Sequence, residues 1–192
     1  MRNNAHMRLY AAIVPPPHVR DELADLVASV APDTPELTPV EPAAMRIPVT
    51  NFGNVTLNDS LRLLEVLREA AGKWSRPTVH CAGSAALEFE GDRSVWSRIE
   101  GDLDELLEVG RGVPKVVQPL GFLVDRRKFR PWISVGTITE DTTLPYLEKL
   151  TGVLDGFSGT PWTVDSLTVF KKTPVDENGS DEAVHEEIAL RP

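Results

Sequence analysis

Residues 129–136 read FRPWISVG, and this short segment is the most informative part of the chain. From Trp132 to Ile138 the sequence alternates and is rich in β-branched residues, which is typical of a strand. Successive side chains of a strand point to opposite faces. Trp132 and Ser134 are therefore predicted to lie on one face of this strand.

Around this strand the sequence predicts alternating strands and helices. Apolar residues recur at helical spacing in the helices and the strands carry alternating or β-branched runs. The mixture favours an α+β fold, with helices packed on mainly antiparallel sheets, over a doubly wound parallel fold. The predicted strands are 7–14, 45–49, 78–89, 94–99, 132–138, 163–170 and 185–190, and the predicted helices are 19–30, 61–71, a short one at 103–107, and 144–157.

The segments between these elements carry turn and cap signals. Residues 32–42 contain four prolines and are predicted to be a loop, and residues 113–123 are apolar and interrupted by proline. Asn58 or Asp59 is predicted to cap the second helix, with Gly72 near its end. Residues 171–183 read KKTPVDENGSDEA, a polar turn that we expect to be mobile.

The composition is that of one globular domain. The chain has 192 residues, of which 41% are hydrophobic and 26% are charged, and two lobes within one domain are compatible with this size. We expect residues 1–6 to be a loose leader and residues 7–192 to form the domain. No run approaches the roughly 20 apolar residues of a membrane helix, and MRNNAH lacks the apolar stretch of a signal peptide. We therefore expect a cytoplasmic protein with no membrane partner.

The formal net charge of −9 repels a polyanion over most of the surface, which argues against coating of bulk nucleic acid. A small local phosphate pocket remains compatible with this charge. The one basic cluster is DRRKFR, residues 125–130, directly before the Trp132 strand. Such a run usually forms a solvated loop, or it guides an anionic ligand, and Arg130 is the best candidate for a ligand contact.

The sequence predicts neither a metal site nor a cofactor. Cys81 is the single cysteine, and its neighbour His80 points to the opposite face of their strand. His185 and Glu187 share a face, but two ligands are too few for a structural zinc site. The sequence contains no glycine-rich phosphate loop, no nucleophile elbow and no zinc spacing.

Three segments resemble the 2H phosphoesterase superfamily, which includes bacterial 2′-5′ RNA ligases and RNA 2′,3′-cyclic phosphodiesterases. FRPWIS resembles the second family motif, F-R-P-H-x-[ST], and RLYAAI at residues 8–13 resembles the first family strand. RIPVTNFGNV at residues 46–55 aligns with H-x-T-L-x-F-L-G-x-V, with Gly53 and Val55 as anchors. The resemblance implies a bilobal fold, with two mainly antiparallel sheets facing a central cleft and helices packed outside.

In this alignment the histidine and hydroxyl positions of the family are occupied by Arg46, Pro48, Trp132 and Ser134. In the family one histidine acts as base and the other as acid, and the hydroxyls hold the phosphate oxygens. Arginine stays charged, and an indole only donates a hydrogen bond, so neither transfers protons near neutral pH. We therefore expect no catalytic residue at these positions.

What remains is suited to binding. The residues predicted to bind a ligand are Arg46, Arg130, Trp132 and Ser134, because arginine pairs with phosphate and an aromatic ring stacks on a base. The expected ligand is a nucleotide, an RNA end or another phosphate-bearing molecule, held without turnover. Two alternatives remain open, namely an active cyclic phosphodiesterase that uses other residues and a scaffold protein whose cleft is filled by Trp132.

Overall fold

The structure is a computed structural model that describes residues 6–31, 33–122, 124, 127–175 and 179–192. Its architecture is α+β, as the sequence predicts. The helices are α1 (Pro17–Val30), α2 (Leu57–Ala71), α3 (Leu103–Val117) and α4 (Leu144–Asp155), with short 3-10 helices at Pro42–Ala44 and Gln118–Leu120. The strands are β1 (Met7–Ile13), β2 (Leu37–Pro39), β3 (Ile47–Val55), β4 (Thr78–Ala86), β5 (Ser94–Gly101), β6 (Trp132–Ile138), β7 (Trp162–Thr163), β8 (Ser166–Val175) and β9 (Gly179–Ala189).

The described strands form two separate antiparallel sheets. The first sheet has the order β3-β1-β8-β9, and the second has the order β2-β6-β5-β4-β7. Helices α2 and α3 contact β9 and β3 of the first sheet, whereas α1 and α4 contact β6 and β4 of the second. Each sheet is therefore covered by two helices, and the first half and second half of the chain contribute strands to both sheets.

Helix α2 shows how apolar spacing and a cap define an element. Leu63, Leu64 and Leu67 are buried along one face, which is the stripe that stabilises an amphipathic helix. The N-cap is Thr56, whose hydroxyl accepts a hydrogen bond from the Asp59 amide at 3.2 Å and donates to the Asp59 carboxylate at 2.8 Å. The prediction of Asn58 or Asp59 as the cap is therefore wrong, because the helix begins one turn earlier than the leucine spacing suggests.

Helix α3 is also longer than predicted. The sequence suggested a short helix followed by an irregular apolar stretch, but α3 runs for 15 residues and contains Pro114. Its buried stripe of Leu106, Val109, Val113 and Val117 continues past the point where the proline interrupts the pattern. A proline removes one backbone donor and distorts the helix locally, and here the burial of the stripe outweighs that cost.

The predicted loop at residues 32–42 contains a strand. Leu37 is 5% exposed, and β2 pairs with β6 so that Leu37 lies opposite Ile138. A Cβ added at Gly136 would lie 2.6 Å from Cδ2 of Leu37, so the leucine packs directly on the glycine backbone. This close approach explains a strand of only three residues among the prolines. Pro32 lies outside the described residues.

The C-terminal hairpin is much longer than predicted. We expected strands at 163–170 and 185–190 around a polar turn, but β8 is 10 residues long and β9 is 11. Most of the predicted turn is therefore strand, and residues 176–178 within it lie outside the described residues. Lys172 lies opposite Glu182 across this hairpin and binds it at 2.9 Å. Opposite charges facing each other stabilise a polar ladder, which the apolar pattern cannot reveal.

Strand β3 is displaced from its predicted position. It covers Ile47–Val55 rather than 45–49, so Arg46 lies just before the strand. Its pairing with β1 shifts register twice, between Leu9 and Tyr10 and between Ala11 and Ala12. Such irregularities re-aim side chains near functional sites.

Two further observations concern the start of the chain and the length of its helices. Of the predicted leader, only His6 is among the described residues, and it is exposed. Within the described ranges, no helix is both long enough and apolar enough to cross a membrane.

Candidate functional site

An open cleft with a volume of about 560 Å³ lies between the two sheets. One wall comes from β1, β3 and β8 of the first sheet, and the other comes from β5 and β6 of the second sheet together with the segment that precedes β6. The lining residues are Arg8, Tyr10, Ala11, Pro48, Val49, Thr50, Asn51, Phe89, Trp96, Arg127, Lys128, Phe129, Arg130, Trp132 and Lys172. This size and this mixture of aromatic and polar side chains are typical of pockets for small ligands.

The charge of the cleft is opposite to that of the chain. Among the lining residues that the structure describes, five are basic and none is acidic, although the formal net charge of the protein is −9. The five basic residues are Arg8, Arg127, Lys128, Arg130 and Lys172. Clefts lined by one sign of charge concentrate the electrostatic field and attract ligands of the opposite sign. The cleft is therefore suited to an anion.

Aromatic rings surround one of these cations. The guanidinium carbon of Arg130 lies 4.9 Å from the ring centre of Trp132 and 5.1 Å from that of Phe89. The rings of Trp96 and Trp132 are 6.2 Å apart and tilted by 53°. Contacts between a guanidinium and aromatic faces hold the cation in place without neutralising its charge.

The backbone around Arg130 is fixed by packing on α3. Phe129 is 6% exposed, and a Cβ added at Gly110 would lie 2.2 Å from its ring, so the phenyl ring occupies the space that the glycine leaves. The Trp132 amide donates to the Arg130 carbonyl at 2.8 Å, and the Ile99 amide donates to the Pro131 carbonyl at 3.1 Å. The first residues of FRPWISVG are thus held against both α3 and β5.

Arg46 does not line this cleft. Its guanidinium donates to the Tyr10 hydroxyl, forms an ion pair with Glu182 at 3.3 Å, and lies 4.1 Å from the ring centre of Phe170. Its Nε also donates to the Ala44 carbonyl. Among the predicted ligand-binding residues, the structure therefore brings Arg130 and Trp132 together in the cleft. Arg46 instead belongs to a network on the first sheet, which reaches the cleft through Tyr10 and Lys172.

This network shifts the pKa values of Tyr10 and Glu182. The Tyr10 hydroxyl donates to Glu182 at 2.8 Å, and burial together with this hydrogen bond raises the pKa of Tyr10 above its usual value. Burial alone would raise the pKa of Glu182, but hydrogen bonds from Lys172 and Tyr10 lower it. Near neutral pH, Tyr10 is therefore protonated and Glu182 is charged.

The two predicted hydroxyl positions are occupied differently. Ser134 is half-buried opposite Trp96 in β5 and is not among the described lining residues, whereas Pro48 does line the cleft. Thr50 also lines it, is 8% exposed, and its buried hydroxyl has no hydrogen-bond partner in the part of the chain that the structure describes. The sequence analysis did not single out Thr50, although alternation along the strand places it on the same face as Pro48.

The described lining of the cleft lacks the side chains that usually transfer protons near neutral pH. The lining residues within the described ranges include no histidine, aspartate, glutamate or cysteine. The residues described by the structure also include no group of three or more His, Cys, Asp or Glu side chains placed to hold a metal ion. Of the basic cluster at 125–130, Asp125 and Arg126 lie outside the described residues, and residues 127–130 line the cleft.

Comparison with solved structures identifies the fold. TT0787 of Thermus thermophilus is 19% identical and superposes with a TM-score of 0.76 over 96% of this chain and 98% of its own. E. coli LigT in complex with 3′-AMP is 17% identical, with a TM-score of 0.73 over 97% and 99% of the two chains. LigT structures with NADP+, ATP and phosphate also match.

A more distant match has the same architecture. Usb1 of Kluyveromyces marxianus is 9% identical, with a TM-score of 0.51 over 93% of this chain and 97% of its own. No family model and no curated protein matches the sequence. The chain therefore has the LigT-like fold that the resemblance to the 2H phosphoesterases implies.

Proposed function

We propose that this chain is a divergent 2H phosphoesterase-like protein of the cytoplasm that binds a nucleotide, an RNA end or another phosphate-bearing ligand in the cleft without turnover. The observation that carries the proposal is the charge of the cleft. Among the described residues, five basic side chains and no acidic one line an open space of about 560 Å³ in an acidic protein. Guanidinium and ammonium groups bind phosphate oxygens through strong charge-assisted hydrogen bonds.

The proposed ligand class also rests on the aromatic residues and on the similar folds. Trp96, Trp132 and Phe89 offer ring faces beside the cations, and stacking of a base on an aromatic side chain is worth about 1–3 kcal/mol. LigT has been crystallised with 3′-AMP, NADP+, ATP and phosphate. All four ligands carry a phosphate group, and a cleft in the same fold supports the same class here.

The chemistry of the lining side chains supports the proposal of binding without turnover. General acid–base catalysis needs groups that gain and lose a proton near neutral pH. Arginine and lysine side chains are poor proton-transfer groups at neutral pH as a residue type. Tyr10 has a raised pKa, and no described lining residue is a histidine or a carboxylic acid. The open volume of the cleft argues against the alternative of a scaffold protein with a filled cleft. The alternative of an active phosphodiesterase that uses other residues is tested by the turnover experiment below.

The experiment titrates the purified chain with 3′-AMP and ATP and follows the heat of binding and the tryptophan fluorescence, to which Trp96 and Trp132 in the cleft contribute. We expect saturable binding that weakens with added salt, because salt screens charged ligands. Absence of binding to both nucleotides at low salt would overturn the proposal.

A second measurement tests turnover. The chain is incubated with 2′,3′-cyclic AMP, and the products are separated by chromatography. We expect the cyclic nucleotide to be recovered unchanged. Conversion to 2′-AMP or 3′-AMP that disappears in Ser134→Ala or Arg46→Ala would instead establish the active phosphodiesterase.

A further inference from the structure

We infer that the phosphate of the ligand binds to the hydroxyl of Thr50 and the guanidinium of Arg130, and that Arg46 positions Tyr10 instead of contacting the ligand. The inference rests on the proposed function, because it assigns the anion-binding groups within the same cleft. Two independent observations carry it, one on each wall of the cleft.

On the first wall, the lining residue Thr50 carries a buried hydroxyl that has no partner among the described residues. The residue is 8% exposed, and its Oγ1 makes no hydrogen bond to any of them. A buried polar atom without a partner is unfavourable and is rare in native proteins. Such an atom in the lining of an open cleft is explained when a ligand supplies the missing partner. A threonine hydroxyl can donate to a phosphate oxygen.

On the second wall, Arg130 presents a cation that has no counter-charge in the described part of the chain. Its Nη1 is buried without a hydrogen-bond partner, and no ion pair to Arg130 occurs within the described ranges. Phe89 and Trp132 hold the guanidinium between their rings but accept no strong hydrogen bond. A guanidinium fork matches the oxygens of a phosphate, which accept from both nitrogens at once.

Two basic groups of the first sheet are already engaged. Arg46 and Lys172 share the carboxylate of Glu182, at 3.3 Å and 2.9 Å respectively. The lowered pKa of Glu182 keeps this carboxylate charged near neutral pH. A phosphate that bound to Arg46 would compete with Glu182 for the same guanidinium. Arg130 meets no such competition among the described residues, so it is the better site for the anion.

The two groups define the chemical class of the ligand more closely. One neutral donor and one bidentate cationic donor match several acceptor oxygens on one centre, as in a phosphate ester. The indole of Trp132 is in contact with the same guanidinium and offers a ring face beside it. A nucleoside phosphate whose base stacks on Trp132 while its phosphate reaches Arg130 and Thr50 satisfies all three groups.

The test separates phosphate binding from ring binding. Thr50→Val removes the hydroxyl with little change in side-chain size, and Arg130→Gln removes the positive charge and the guanidinium fork. Arg46→Gln tests whether the ligand contacts Arg46, and Arg62→Gln on the exposed face of α2 is the matched control. Dissociation constants are measured calorimetrically for 3′-AMP and for adenosine, which has the ring without the phosphate. We expect Thr50→Val and Arg130→Gln each to weaken 3′-AMP binding by about tenfold or more while adenosine changes by less than about twofold. Arg46→Gln should change both by less than about threefold.

Rescue and stability distinguish a ligand contact from a structural role. Thr50→Ser keeps the hydroxyl and should restore the affinity for 3′-AMP. Thr50→Val should also raise the melting temperature without ligand, because it removes a buried hydroxyl for which the described residues supply no partner.

Each contrary result has a distinct meaning. If the wild-type chain binds 3′-AMP and the Thr50 and Arg130 variants bind it equally well, the phosphate assignment is overturned and the proposed function stands. Equal weakening of adenosine and 3′-AMP, or a large loss of 3′-AMP binding in Arg46→Gln, also overturns the assignment. If the wild-type chain binds no nucleotide, the proposed function and this inference both fail.

Discussion

Arg46 and Glu182 form an ion pair of 3.3 Å that links the two outer strands of the first sheet. Arg46 lies just before β3 and Glu182 lies on β9, at opposite ends of the order β3-β1-β8-β9. The arginine crosses the intervening strands over the stacked rings of Tyr10 and Phe170, whose centres are 5.2 Å apart. A residue expected to bind ligand thus connects distant parts of one sheet.

The first prediction concerns this ion pair and pH. The pKa of Glu182 is lowered from its usual 4.5, so its charged form stabilises the fold at neutral pH. That stabilisation is present above about pH 4.5 and is lost as the pH falls through the lower folded pKa. Glu182→Gln should therefore lower the melting temperature at pH 7, and the difference from wild type should shrink as the pH falls below about 4.5. Thermal unfolding monitored by circular dichroism at several pH values measures both effects.

The control for this prediction is Glu65→Gln on α2, a carboxylate that is exposed. It should leave the melting temperature unchanged within about 1 °C at every pH, because exposed substitutions usually change stability by less than about 0.5 kcal/mol. A Glu182→Gln chain that is equally stable at pH 7, or whose deficit persists at low pH, would show that the ion pair is not stabilising.

The second prediction concerns the packing of Phe129 on α3. Gly110→Ala should destabilise the chain by about 1–3 kcal/mol, because the new Cβ would lie 2.2 Å from the Phe129 ring. It should also weaken binding of 3′-AMP, since Phe129 immediately precedes Arg130. Denaturant unfolding and calorimetry measure the two effects.

Gly152→Ala on α4 is the matched control for Gly110→Ala. A Cβ at Gly152 meets no atom of the described chain within 4 Å, so the alanine should stabilise the chain by about 0.4–1 kcal/mol through the lower entropy of the unfolded state. Equal effects of the two alanines would refute the packing argument.

The third prediction concerns the cap of α2. Thr56→Ala should destabilise the chain by about 1 kcal/mol, because the hydroxyl that binds the Asp59 amide is lost. Asn58→Ala, two residues later, should change stability by less than about 0.5 kcal/mol. Urea unfolding of both variants measures the two changes in the free energy of unfolding. A larger decrease for Asn58→Ala than for Thr56→Ala would contradict the cap that the structure places at Thr56.

The fourth prediction concerns the ring face of Trp132. Trp132→Ala should weaken binding of 3′-AMP by about tenfold to a hundredfold, the equivalent of the stacking free energy of a base. Trp132→Phe should retain part of the affinity, because a phenyl ring also stacks. Binding of inorganic phosphate should weaken less than binding of 3′-AMP in either variant, because only the nucleotide has a base to stack. If Trp132→Ala binds 3′-AMP as the wild type does, the base stacks elsewhere.

Local sequence patterns predict those parts of the fold in which periodicity and burial agree. The strand Trp132–Ile138 was predicted with its observed bounds, and α1 ends at Val30 as the proline that follows suggests. The α+β class follows from the same patterns. The resemblance of a few short segments to a known superfamily then supplied the bilobal arrangement that periodicity alone does not give.

Other features depend on contacts between residues that are distant in the sequence. The long C-terminal hairpin is stabilised by charge pairs such as Lys172 with Glu182. Because its strands carry polar residues instead of an alternating apolar pattern, the sequence of this segment resembles a polar turn. The position of Arg46 depends on Glu182, which lies on the last strand and which no local pattern links to it. Thr50 belongs to a strand whose register shifts against β1 twice, and the lack of a described partner for its hydroxyl is evident only in three dimensions.

The sheet order also has a consequence for self-association. In the second sheet the outer strands are short, since β2 has three residues including Pro39 and β7 has two. In the first sheet one outer strand, β3, is irregular and contains Pro48, and the other, β9, carries Asp181, Glu182, Glu186 and Glu187. Prolines, irregularities, charges and short length each discourage a strand of another molecule from adding to an open edge. The protein thus combines an open cleft with a basic lining and sheet edges that resist aggregation by strand pairing.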